Sequence, residues 1–225
     1  EITDLAYKYS KDNADELVFY DISASTKNEV VETAWVKKVA DKINIPFCVA
    51  GGIKNIRVAE AILNLGADKI SINTPAIENP ELITELAKEF GSQCVVVGID
   101  SYFQDQQYNV YSRTGDPTTR TKSNRLTYSW IKEVQDRGAG EIVLNCMNQD
   151  GVRNGYDLKQ LFDARKISRV PLIASGGAGN MDHFYDVFNS CNVDGALAAS
   201  VFHKNDVGIE VLKNNLLNRG IRVRR

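Results

Sequence analysis

An α/β fold, a (β/α)8 TIM-type barrel built from two half-barrels, is the architecture the sequence predicts, and three observations predict it. Short apolar, β-branched runs alternate with amphipathic helical stretches, as in a parallel βα array. The runs are near-continuously hydrophobic, which suits strands covered on both faces. Finally, the chain repeats itself at an offset of 125 to 126 residues, a period too long for a solenoid and suited to two sets of four βα units.

The strand-like runs are residues 17–22 (LVFYDI), 46–50 (PFCVA), 69–73 (KISIN), 93–99 (QCVVVGI), 141–144 (EIVL), 171–175 (PLIAS) and 195–199 (GALAA). Between them, 30–43 puts Val31, Ala34, Trp35 and Val39 on one helical face, with Lys38 at its edge. Residues 55–65 and 81–90 also read as amphipathic helices, and Gly66, Gly91 and Gly138 stand where C-caps belong.

Seven strands are one short of a closed barrel, and the repeat says where the gap lies. Residues 14–18 (ADELV) recur as 139–143 (AGEIV), 50–52 (AGG) as 175–177 (SGG), and Asn64 as Asn189, each 125 positions on. Asp68 matches Asp194, and Asn73-Thr74 matches Ala199-Ser200, at 126. The second half then holds four units and the first only three. The missing strand is expected upstream of Glu1, and a chain that does not begin with Met fits a truncated or partly recorded protein. The expected organisation is a single barrel domain over 1–225, with half-barrels near 1–92 and 93–225. An open seven-stranded sheet is the alternative.

Composition narrows the chemistry. With 27 Lys+Arg against 29 Asp+Glu, a net charge of −2 and a pI near 5.8, the chain lacks the basic excess of a nucleic-acid binder. No apolar run approaches the roughly 18 residues of a membrane span, and the start has no signal-peptide pattern. Cys48, Cys94, Cys146 and Cys191 lie far apart, the first three in or beside apolar runs, and His183 and His203 are the two histidines. These patterns favour structural thiols and a cytoplasmic domain with no metal and no cofactor.

Barrel enzymes place their chemistry at the C-terminal ends of the strands. Those ends carry Gly51-Gly52, Asn73-Thr74, Gly176-Gly177 with Gly179, and Ala199-Ser200. Glycine lets backbone N–H groups approach an anion, and a following helix N-terminus adds the positive end of a dipole. One Gly-Gly is equally a tight turn. The pairing in both halves suggests two phosphate cradles and a substrate phosphorylated at both ends, although a vestigial second cradle is also open.

Asp100 is the leading catalytic candidate. It ends an apolar strand, shares an inward face with Val96 and Gly98, and is placed for general acid–base work. Its partner is expected on the missing first strand, and its bland alternative is a turn or N-cap aspartate. Asp150-Gly151, in the polar loop 149–155, is a supporting candidate with simple turn chemistry as its alternative. At the opposite strand ends, Glu16, Lys69 and Glu141 each open a strand on the inward parity. Buried charges need partners, so two carboxylates and one ammonium call for a further cation; outward-facing surface charges are the alternative.

The runs 14–25 (ADELVFYDISAS), 46–53 (PFCVAGGI), 66–76 (GADKISINTPA), 95–100 (VVVGID), 137–145 (RGAGEIVLN), 148–157 (NQDGVRNGYD), 171–179 (PLIASGGAG) and 194–203 (DGALAASVFH) closely resemble the cyclase subunit of imidazole glycerol phosphate synthase, over essentially the whole chain. The resemblance implies a barrel that takes ammonia from a glutaminase docked at its bottom and needs no cofactor. Its reaction converts a bisphosphorylated formimino-aminoimidazole carboxamide ribonucleotide into imidazole glycerol phosphate and aminoimidazole carboxamide ribotide, in histidine biosynthesis. Carried over by motif, Asp100 is one of two catalytic aspartates, and Asp150 lies in the loop after the sixth barrel strand. Gly52, Asn73, Thr74, Gly151, Gly177 and Ser200 fall at phosphate positions, beside Gly176 and Ala199. Glu16, Lys69 and Glu141 belong to an ammonia-entrance ring completed by an arginine on the first strand, and Asp68 signals to the glutaminase. Lacking that strand, the chain is expected to be impaired. Rival readings are the sister isomerase of the pathway, a cyclase-like paralogue serving another amidotransferase, and a non-catalytic docking scaffold.

Overall fold

The computed structural model describes residues 1–20 and 34–224. The tail of the first predicted strand (21–22) and the start of the predicted 30–43 helix, with Val31, lie outside the described residues. The chain divides into two compact units: Glu1–Val97 with Ser112–Thr121 and Arg137–Gly140, and Gly98–Tyr111 with Lys122–Asp136 and Glu141–Arg225.

In the first unit the order is α1 (Ile2–Lys11), β1 (Leu17–Tyr20), α2 (Ala34–Ala40), β2 (Phe47–Ala50), α3 (Ile56–Asn64), β3 (Lys69–Ile72), α4 (Thr74–Glu78), α5 (Glu81–Phe90) and the opening of β4 (Val95–Gln104). The strands are parallel, in the order β1-β2-β3-β4, with Leu17 opposite Phe47, Cys48 opposite Lys69 and Ile70 opposite Val95. Every residue of β2 is buried, as its unbroken apolar run predicts. Helix α3 starts because Asn55, extended at φ −161°, accepts a hydrogen bond from the Val58 N–H at 3.1 Å. It then buries Ala59 and Ile62 one turn apart. Helix α5 buries Leu82, Ile83 and Leu86 and stops at Gly91, at φ 86°.

Helix α2 buries a different stripe from the one predicted. Val36 and Val39 are fully buried, Ala34 is exposed, and Trp35 is half-buried with its ring 5.2 Å from that of Phe19. The large β-branched side chains take the core, and the indole finds an aromatic partner instead of a place in the stripe.

The second unit continues β4 and adds β5 (Gln107–Ser112), β6 (Thr121–Leu126), α6 (Thr127–Asp136), β7 (Glu141–Cys146), α7 (Leu158–Ile167), β8 (Leu172–Ser175), α8 (Met181–Cys191), β9 (Gly195–Leu197), α9 (Ser200–His203) and α10 (Ile209–Asn218). Here β4, β7, β8 and β9 follow one another, with Ile142 opposite Leu172 and Ile173 opposite Gly195 in parallel pairings. Trp130 is buried on α6 with the Arg125 guanidinium 4.1 Å from its ring centroid, and Arg125 also pairs with Glu133. Parallel strands alternating with helices in this order make a fold of the (β/α)8 barrel type, as predicted.

The described residues hold nine strands, where periodicity counts seven. The extra two are β5 and β6: β4 runs on to Gln104 and folds back antiparallel on β5, pairing Asp100 with Tyr111 and Gln104 with Gln107, and β6 pairs with β5 in turn. The link is a two-residue turn, Asp105 and Gln106, with both φ values positive (53° and 62°). Such a turn normally announces itself as Asn-Gly or Asp-Gly; Asp-Gln does not.

The repeat is physical as well as textual. The Asp68 carboxylate accepts a hydrogen bond from the Phe47 N–H at 3.0 Å, while its own N–H donates to Phe47 O at 3.1 Å. Asp194 treats Leu172 in the same way, at 2.9 and 3.0 Å. Each aspartate thus clamps the start of a parallel strand. Likewise Asn180 caps α8 through the His183 N–H as Asn55 caps α3, 125 positions earlier. Among the described residues, no helix is long and apolar enough to cross a membrane.

All four cysteines are free; Cys48, Cys146 and Cys191 are buried. Burial, reinforced by the Asp157 carboxylate, pushes the Cys146 thiol well up and the Cys191 thiol up to about 11. A native pKa raised above the thiol's ordinary value of 9.0 stabilises the folded state below that pH, and the contribution fades as pH rises through the native value. Unfolding free energy should therefore fall progressively above pH 9, and both thiols should resist alkylation at pH 8 until the protein is denatured. Asp194→Ala should cost about 1–3 kcal/mol in urea unfolding, because it leaves the Leu172 N–H without its carboxylate. The cost should exceed that of Asp68→Ala, since Asp194 also pairs with Arg165.

Candidate active site

Asp100 owes its direction to its neighbour. Ser101 is fully buried, shares a 2.7 Å hydrogen bond with Thr127 Oγ1, and accepts another from the Gln160 amide. Thr127 and Gln160 are buried too, so the three polar side chains satisfy one another on the covered face of β4. Successive strand residues point to opposite faces, which turns Asp100 the other way. There its Oδ1 accepts a hydrogen bond from Asn145 Nδ2 at 2.8 Å. Asn145 Oδ1 in turn accepts a long one, 3.4 Å, from Ser175 Oγ at the end of β8. One polar line therefore joins the C-terminal parts of β4, β7 and β8.

The line ends at Gly176 and Gly177, with φ 90° and 114°. A Cβ on Gly177 would stand 2.1 Å from Gly155 O, and the Gly155 N–H donates to Gly177 O at 2.8 Å. Only glycine fits so close a backbone approach. The loop after β7 is held by a second set of bonds. The Met147 N–H donates to Ser101 O at 2.9 Å, and the Asn148 amide both accepts from Phe103 N–H and donates to Phe103 O. Asp150 and Gly151 (φ 75°) sit exposed on this anchored loop, and Arg153 pairs with Asp206 at 2.5 Å. Ala199 precedes α9 and Ser200 opens it, both exposed. Glu141 opens β7, half-buried.

Beside this site, Asp157 caps α7 through the Gln160 N–H at 2.9 Å and accepts the Tyr108 hydroxyl at 3.3 Å. Burial and that carboxylate raise the Tyr108 pKa, so the hydroxyl stays a donor that ties β5 to α7.

In the first unit, Gly51 (φ 106°) and Gly52 (φ 68°) turn the chain after β2. Asn73 and Ala199 share an irregular backbone, φ −129°, ψ −85° against φ −121°, ψ −64°, each before the first residue of a short helix. Thr74 Oγ1 accepts the Arg113 N–H at 2.9 Å, so its own hydroxyl hydrogen points elsewhere as a donor. Arg113 pairs with Glu78 at 2.9 Å. At the other strand ends, Lys69 Nζ meets Glu16 Oε2 at 2.7 Å, with the side chains 20% and 28% exposed. Asp68 is exposed apart from its clamp.

The structure thus joins Asp100 to the Gly176-Gly177 turn and Glu16 to Lys69. Sequence reasoning missed Asn145, Asn148 and Arg113. Asn145 shared the strand parity that marked Glu141, and that was its available signal; Asn148 and Arg113 act largely through loop backbone, which carries none. Among the described residues, no group of three or more His, Cys, Asp or Glu side chains is gathered to hold a metal.

Comparison with known proteins gives a consistent picture. The family model described as histidine biosynthesis protein matches residues 1–208. The protein named imidazole glycerol phosphate synthase subunit HisF from Vibrio cholerae serotype O1 is 60% identical over 227 residues, covering 100% of this chain and 88% of the relative. The proteins of the same name from Aliivibrio salmonicida and Photobacterium profundum are 61% and 60% identical, with the same coverage. With its whole length aligned at this identity, the chain belongs to the imidazole glycerol phosphate synthase subunit family of histidine-biosynthesis proteins.

Proposed function

We propose that this chain is the cyclase subunit of imidazole glycerol phosphate synthase, acting in the cytoplasm on ammonia delivered by a partner glutaminase. Its substrate is the bisphosphorylated formimino-aminoimidazole carboxamide ribonucleotide. Its products are imidazole glycerol phosphate and aminoimidazole carboxamide ribotide. The observation that carries this reading is Asp100, whose carboxylate is held at the C-terminal part of a barrel strand and linked through Asn145 and Ser175 to the Gly176-Gly177 turn. A carboxylate fixed there is placed to move a proton at the reacting imidazole precursor.

The two phosphates of the substrate match two glycine turns in number and chemistry. Gly51-Gly52, with Asn73 and Thr74, serves one; Gly176-Gly177, with Ala199 and Ser200, serves the other. Backbone N–H groups at a Gly-Gly turn and in the first turn of a helix are uncommitted to intrahelical bonds and suit an anion. Asp150 and Gly151, exposed on the anchored loop after β7, are assigned a supporting part in the same site. The half-buried Glu16–Lys69 pair supports the entrance role of Glu16, Lys69 and Glu141 in ammonia delivery. Nitrogen has to pass such an entrance as neutral ammonia, because ammonium in an apolar interior is costly. Asp68, exposed beside its clamp, is available to the docked glutaminase.

Asp100→Asn in the full-length protein should abolish product formation with ammonium salt as nitrogen donor, a loss of at least about 100-fold in kcat. Normal turnover by that variant would remove Asp100 from the mechanism. Gly177→Ala should raise KM for the bisphosphate substrate by about 10-fold or more, since a methyl there displaces the Gly155 carbonyl and the turn with it.

A further inference from the structure

We infer that Asn145 is a positioning residue for Asp100, and that its side-chain N–H, not its bulk, is what the reaction requires. The inference rests on the catalytic reading of Asp100. Asn145 lies on β7 between buried Leu144 and Cys146, so its own side chain faces the other way, with Val143 and Glu141. Its Nδ2 is 2.8 Å from Asp100 Oδ1 and its Oδ1 is 3.4 Å from Ser175 Oγ. Chemistry fixes which end of the amide is which. An ionised carboxylate only accepts hydrogen bonds, so the amide must offer it N–H and keep its oxygen for the serine hydroxyl.

Room for this orientation is built into the next strand end. A Cβ on Gly176 would stand 2.9 Å from the Asn145 amide oxygen. That glycine therefore leaves the space the oxygen occupies. Ser175 and Gly176 together aim the amide, and the amide aims the carboxylate. Glu16 and Val18 recur as Glu141 and Val143, while the residue 125 positions before Asn145 is Tyr20, so filling the fold does not by itself call for an amide at this place.

The test compares Asn145→Ala, Asn145→Asp and Asn145→Ser with Asp100→Asn in the full-length protein, with ammonium salt as nitrogen donor. Asn145→Asp keeps the size and replaces the donor by an acceptor facing Asp100. It should lower kcat by about 10- to 100-fold with KM changed less than about threefold. Asn145→Ala should behave similarly, and Asn145→Ser, which keeps a short donor, should recover part of kcat. Should Asn145→Ala prove unstable in a melting experiment, the contrast between Asn145→Asp and Asn145→Ser at equal stability decides the matter. Full kcat in Asn145→Asp, or a loss expressed in KM alone, overturns the inference while Asp100→Asn remains inactive. An active Asp100→Asn overturns the catalytic reading itself.

Discussion

Side chains on a strand alternate between faces, and at Asp100 and Ser101 that alternation is enforced by a buried polar cluster. Moving β4 by one residue would carry Ser101 away from Thr127 and Gln160, leaving buried hydrogen-bonding groups without partners. It would also put Asp100 into the covered face, where a carboxylate is expensive. The register of β4 is therefore held from behind by neutral hydrogen bonds, and the charged group in front inherits its direction without spending hydrophobic contacts on it. The loop after β7 depends on the same stretch of strand, since Met147 and Asn148 bond to the backbone of Ser101 and Phe103.

Strand ends that carry chemistry need a framework whose strand starts do not move. The two aspartate clamps supply it. Each ties the residue before a strand to the start of the strand beside it through two hydrogen bonds, one from main chain and one from side chain. Because one partner is ionised, such a bond is stronger than a neutral one. The clamp fixes relative strand stagger at one end, and the parallel ladder transmits it to the other, where Asp100, Ser175 and Gly176 must line up.

Much of this was legible in the sequence, for physical reasons. Continuous apolar runs have one low-energy use in an alternating α/β chain, and the seven parallel strands fall where those runs stand. Asp100, Gly177 and the Glu16–Lys69 pair were visible because a charge or a Gly-Gly at the end of an apolar run is conspicuous. What was hidden depends on geometry that residue type does not encode. The β4–β5 hairpin turns on Asp105 and Gln106 in the left-handed region, a conformation neither residue advertises. Asn145 and Asn148 are short amides whose importance lies in where their two ends point. The buried stripe of α2 moved because aromatic packing between Trp35 and Phe19 competes with simple helical periodicity.

The two halves of the repeat show which features the fold itself requires. The clamps Asp68 and Asp194, the helix caps Asn55 and Asn180, and the left-handed Gly-Gly turns recur with the same bonds or dihedrals. They do the same mechanical work in each unit: starting strands, starting helices and reversing the chain beside a site. Positions at the C-terminal ends of the strands differ more, as Asn73-Thr74 against Ala199-Ser200 and Tyr20 against Asn145 show. The helix-opening hydroxyl stands in both copies, as Thr74 and Ser200, which fits the proposed phosphate contact at either end of the substrate. Tyr20 and Asn145 hold matching positions, and of the two it is Asn145 that offers an N–H to Asp100, so the polar line from β4 to β8 belongs to the second half of the repeat.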